Sequence, residues 1–129
     1  MNKLAIPVLL LVIMAGVSIG CFQQTPQIKE YTGASQTIEV EARGQFTIVL
    51  ESNKTTGYSW EPSFDSTLLK VIKSDYKVAQ SKPGMVGVGG KEYFTFEAMK
   101  KGDTKVTMTY KRPWETGSAE QKVFNVTIK

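Results

Sequence analysis

The chain has 129 residues, a formal net charge of +4, a single Cys and no His. That length holds one domain with a core that needs no staple. Without His there is no imidazole base for a Ser or Cys nucleophile and no His-ligated metal, and one Cys forms neither an internal disulfide nor a thiolate zinc cluster. The twelve acidic residues are scattered, with no pair whose settings would split their pKa values, so carboxylate acid–base catalysis has no candidate either. An enzyme, a metal site and a cofactor site are not expected. Lys100-Lys101 and Lys111-Arg112 are the only adjacent basic pairs. Nucleic-acid binders concentrate charge in patches, so this charge reads as a solvated surface.

Residues 1–20 read as a secretory signal rather than as part of the fold. Lys3 is followed by an uncharged apolar run from Leu4 to Ile19, broken by Pro7 and Gly16, and short for a spanning helix. Gly20 before Cys21 resembles the lipobox of prokaryotic lipoproteins, in which the Cys is acylated; Ser18 and Ile19 depart from its usual residues. An uncleaved membrane anchor is the alternative. Either one would hold the domain at a membrane, outside the cytoplasm. Residues 22–36 are polar and read as a tether, which places the domain at 37–129.

From Thr37 onward the dominant period is two. Ile38, Val40 and Ala42 alternate with polar residues, as do Phe46, Ile48 and Leu50 after the turn at Arg43-Gly44. The pattern returns at Phe94, Phe96 and Ala98, at Val106, Met108 and Tyr110, and at Phe124, Val126 and Ile128. A short strand at Tyr58–Glu61 and an apolar run from Leu68 to Ile72, extending toward Ala79, complete the set. This is strand periodicity with one dry face. About seven short strands predict an immunoglobulin-like antiparallel β-sandwich without the paired cysteines of antibody domains.

If successive strands run antiparallel, the connections alternate between two poles. The turns at Arg43-Gly44, Ser63–Thr67 and Lys100–Asp103 fall at one pole. The other collects Ser52–Gly57, Ser81–Gly90 and Lys111–Ala119, which carry Gly, Pro, Thr and Trp. An additional strand at Tyr76–Ala79 would break this count.

In the first of these loops, Asn53 and Gly57 are turn formers, and Thr55 and Thr56 are stiff residues bearing both a methyl and a hydroxyl. A solvated strand connection is the ordinary alternative. Tyr58 and Trp60 fit the core better than a contact surface. Gly87-Val88-Gly89-Gly90, in the second loop, has no following helix or Lys-Ser/Thr and so is no phosphate cradle. It is either a hairpin connection or a place where backbone approaches another protein. In the third loop, Trp and Arg are residue types enriched at interface hot spots, and Pro113 lowers the entropy cost of fixing the loop. Trp114 either packs back onto its own loop or contacts a partner.

The ordered set Asn53-Lys54-Thr55-Thr56-Gly57-Tyr58 with Trp60, Gly87-Val88-Gly89-Gly90 and Arg112-Pro113-Trp114 resembles the chagasin family of cysteine peptidase inhibitors, across residues 37–129. The resemblance implies an immunoglobulin-like sandwich that is monomeric before it binds, and reversible, tight-binding inhibition of papain-like cysteine peptidases. It implies that Thr55 and Thr56 reach the catalytic Cys while the other two loops grip the cleft on either side. The family usually has Pro after the Asn of the first loop, and Lys54 takes that place here. Losing Pro loosens the loop by about 0.4–1 kcal/mol of unfolded-state entropy, which implies reduced affinity and a charge preference from Lys54. The rival reading is a surface-displayed adhesion or accessory module with no effect on peptidases. Two formal glycosylation sequons, at Asn53 and Asn125, read as incidental.

Overall fold

The computed structural model describes residues 27–79 and 88–129, with Gly16, Gly20 and Gly84 as single positions. The rest of the N-terminal signal-like segment, Cys21 and Gly87 lie outside the described residues.

Eight strands run through the described residues: β1 (Lys29–Tyr31), β2 (Ile38–Val40), β3 (Gln45–Ser52), β4 (Ser59–Phe64), β5 (Leu69–Val78), β6 (Gly90–Ala98), β7 (Gly102–Lys111) and β8 (Glu120–Ile128). They form two four-stranded sheets in the orders β1-β3-β6-β5 and β2-β8-β7-β4. The all-β sandwich expected from the alternation is therefore present. Its sheets are mixed rather than wholly antiparallel, because β1 pairs with β3 and β2 with β8 in parallel.

The alternating residues face one another across the sandwich. Phe46, Ile48, Leu50, Phe94, Phe96 and Ala98 come from one sheet, and Val106, Met108, Phe124, Val126 and Ile128 from the other; all are buried. Phe46 stacks on Phe96 with centroids 5.2 Å apart, and Phe64 meets Phe96 edge-on at 5.4 Å. Pro62 occurs within β4 because β4 is an edge strand, where a missing N–H costs no ladder bond.

Two details differ from the sequence reading. The tether assigned to 22–36 contains β1, whose Tyr31 is buried against Phe46. Lys29 and Glu30 face solvent, so a three-residue strand with one inward side chain leaves no period to detect. Ala42, read as an inward residue, is exposed in the turn after β2.

β5 continues to Val78 as one strand, with a bulge between Val71 and Lys73, so no additional strand upsets the count. At one pole Arg43 N donates to Ala98 O at 2.7 Å and Met99 N to Leu68 O at 2.8 Å, gathering three connections. At the opposite pole Ser52 and Val78 both lie beside Gly90, and there the glycine- and threonine-bearing loops emerge.

Candidate functional site

The loop between β3 and β4 is a closed turn. Asn53 is extended and caps a 3-10 turn at Lys54–Thr56, and Gly57 ends it in the left-handed region at φ 84°. The Asn53 side chain accepts from Thr55 N at 3.2 Å and from the Thr55 hydroxyl. Thr56 Oγ1 donates to Asn53 O at 2.6 Å, and Gly57 N to Lys54 O at 3.0 Å. A side chain that satisfies the first free N–H of a turn is what makes Asn a good cap. Lys54, Thr55 and Thr56 are all exposed.

The loop after β7 braces this turn. Arg112 Nε donates to Thr56 O at 2.9 Å, Nη1 binds Glu115 Oε1 at 3.0 Å, and the guanidinium lies 4.3 Å from the Tyr58 ring centroid. The bond to Glu115 raises the Arg112 pKa above its ordinary value. Beneath it, Tyr58 stacks on Tyr110 at 5.1 Å and Tyr110 on Trp60 at 4.9 Å, while Tyr110 Oη accepts from Asn53 N at 2.9 Å. The Trp114 ring rests on Gly57, and the residue as a whole is 70% exposed. Trp114 thus packs on the neighbouring loop, at Gly57, rather than on its own, and most of it is open to solvent.

Below the turn lies a carboxylate. Glu92, on β6, is 4% exposed. Its Oε2 accepts from Trp60 N at 3.0 Å and its Oε1 lies 3.6 Å from Lys54 Nζ. Lys54 Nζ is also 5.0 Å from the centroid of Tyr76. Lys54, in the place usually taken by Pro, thus has two native contacts, and its charge has an internal counterion.

In the second loop Gly87 is outside the described residues, and Val88, Gly89 and Gly90 are half-buried. Gly89 O accepts from Ala79 N at 2.9 Å. A β-carbon on Gly90 would overlap Lys77 O and lie 2.9 Å from the Tyr76 ring. The close backbone approach that Gly90 permits is therefore to β5 of the same chain.

The structure thus joins Asn53–Tyr58 to Arg112–Trp114 by direct contact, and sets Gly89 and Gly90 beside Ser52 at the start of β6. Trp60 lies in the core, its Nε1 donating to Glu51 O at 2.9 Å. Sequence reasoning missed Glu92, Tyr76 and Glu115. Glu92 had a detectable signal, since it continues the inward series Phe94, Phe96 and Ala98 by one step as the only acid on a dry face.

Residues 39–128 match the family profile described as the Chagasin family peptidase inhibitor I42. Chagasin from Trypanosoma cruzi is 31% identical over 106 residues, which are 78% of this chain and 93% of that protein. The crystal structure of the cysteine protease inhibitor EhICP2 from Entamoeba histolytica has a TM-score of 0.67 at 22% identity, covering 81% of this chain and 99% of that one. PbICP-C, solved in complex with falcipain-2, shares the fold with a TM-score of 0.50 at 18% identity over 80% of this chain and 92% of its own. The profile spans most of the sandwich, including all of the loop pole, and the chain belongs to the chagasin family of peptidase inhibitors.

Proposed function

We propose that the pole formed by Asn53–Tyr58, Gly87–Gly90 and Arg112–Trp114 is the surface that occludes the active-site cleft of a papain-like cysteine peptidase. The protein is an inhibitor of cysteine peptidases and not an enzyme. What supports this face as the inhibitory one is the brace from Arg112 Nε to Thr56 O at 2.9 Å, which sets an exposed Thr-Thr tip beside an exposed Trp. A cleft of standard inhibitor-complex size would cover about 800 Å² per partner.

Inhibition by this surface needs no bond making. The left-handed Gly57 and the Asn53 cap curl the tip back on itself, so Thr55-Thr56 cannot lie extended through a cleft as a cleavable peptide does. Because Arg112 and Trp114 already hold the turn, little ordering remains to be done when the partner arrives, and lower ordering cost appears as affinity. The protein meets its target as a monomer, outside the cytoplasm, held at a membrane through the signal-like N-terminal segment or an acylated Cys21; the support for that location is the sequence pattern of residues 1–21.

The test titrates the purified full chain against a papain-like peptidase and, in parallel, a trypsin-like serine peptidase. Stoichiometric inhibition of the first alone, with the chain intact after long incubation, is the expected result. No inhibition of several papain-like enzymes would leave an adhesion or accessory module. Radiolabelled fatty acid retained by the wild type and absent from Cys21→Ser would establish the lipid anchor.

A further inference from the structure

Among the described residues, Glu92 is the one charged side chain in the buried set. Burying a carboxylate is costly unless it is paired and hydrogen-bonded, so its partners matter. One oxygen takes the backbone N–H of Trp60, at the start of edge strand β4, and the other faces the ammonium of Lys54, at the start of the 3-10 turn. The Lys54 side chain is 47% exposed and that of Glu92 only 5%, so the fixed end of the pair is the acid. The two partners lie on either side of Thr55, Thr56 and Gly57. A single rigidly placed group therefore spans the loop, and the Tyr76 ring at 5.0 Å supplies a second surface for the ammonium.

We propose that Glu92 is a positioning residue for inhibition. Its carboxylate holds Lys54 on one side and Trp60 on the other, so the Thr55-Thr56 tip is presented already formed. The same pairing neutralises Lys54, which leaves the tip without net charge and removes any preference for an acidic cleft. The inference rests on the inhibitory pole proposed above.

The experiment compares the full wild-type chain with Glu92→Gln, Lys54→Met, their double variant and Lys54→Arg. Two readouts are taken: amide hydrogen exchange at Thr56 and Gly57 without peptidase, and association and dissociation rates with a papain-like peptidase. Glutamine keeps an acceptor for Trp60 N but removes the charge that faces Lys54. If the formed-loop population falls about tenfold, apparent affinity falls about tenfold with it, mainly through slower association. Glu92→Gln and Lys54→Met are expected to speed exchange alike, the double variant to add nothing further, and Lys54→Arg to behave as wild type.

Unchanged exchange in a folded Glu92→Gln protein, or single effects that add independently, would overturn the proposal. Should Glu92→Gln not fold, Lys54→Met decides, because its site is half exposed; unchanged exchange there also overturns it. If the wild type inhibits nothing, the inhibitory reading fails, while the exchange results still decide whether Glu92 holds the loop.

Discussion

The indole of Trp114 rests on Gly57, so that a β-carbon at Gly57 would overlap Cη2 and lie 3.1 Å from Cζ2. Gly57 is also at φ 84°, where a side chain costs about 1–2 kcal/mol on its own. Gly57→Ala should therefore lose stability by more than that amount with Trp114 present, and by about that amount with Trp114→Ala. Urea unfolding of the four proteins in this cycle measures the difference. Strict additivity would mean that the two loops do not touch in solution.

Trp114→Ala is expected to separate binding from folding. Most of the residue faces solvent, so stability should change by no more than about 0.5 kcal/mol. A desolvated Trp anchor contributes about 2 kcal/mol or more, which weakens inhibition by about thirtyfold. A thermal melt and an inhibition titration on the same preparation suffice; unfolding of the variant would reassign Trp114 to the core.

Trp60→Ala should do the reverse. The residue is buried, stacked on Tyr110, and donates to Glu51 O. Removing an aromatic of this kind costs about 3–5 kcal/mol. Chemical denaturation is the check, and a loss below about 1 kcal/mol would fall outside the range for a well-packed core.

Asp65 offers a control at the opposite pole. Its carboxylate accepts from the Thr67 hydroxyl at 2.6 Å and from Thr67 N at 2.9 Å, and the hydroxyl bond leads in holding its pKa below the ordinary value of 3.8. A depressed folded pKa means that the unfolded state binds protons first as pH falls. The stability difference between wild type and Asp65→Ala should be fully present above the unfolded value and disappear as pH drops through the folded one. Melting temperatures from pH 7 to about pH 2 trace that loss, and inhibition at neutral pH should be unchanged in the variant.

Local chemistry decided what could be read from the chain. Phe46, Ile48 and Leu50, like Phe124, Val126 and Ile128, announce their strands because each side chain reports which face it occupies. β1 does not, since Tyr31 is its one inward side chain, and the parallel pairing of β2 with β8 left no signal because it joins segments far apart in sequence. Loop parity brought Thr56 and Arg112 to the same pole, yet the bond between them depends on how a guanidinium stacks on Tyr58. The link from Lys54 to Glu92 joins the loop after β3 to β6, far along the chain. Only the inward parity of Glu92 hinted at it.

The parallel pairing of β1 with β3 has a practical consequence. Lys29 lies beside Phe46, and Lys129 N donates to Val40 O at 2.9 Å, so both ends of the folded unit sit at the pole away from Trp114. A resin, fluorophore or fusion partner grafted at either end leaves the threonine tip unobstructed. With the binding face proposed above, attachment at either end would orient the domain for capture.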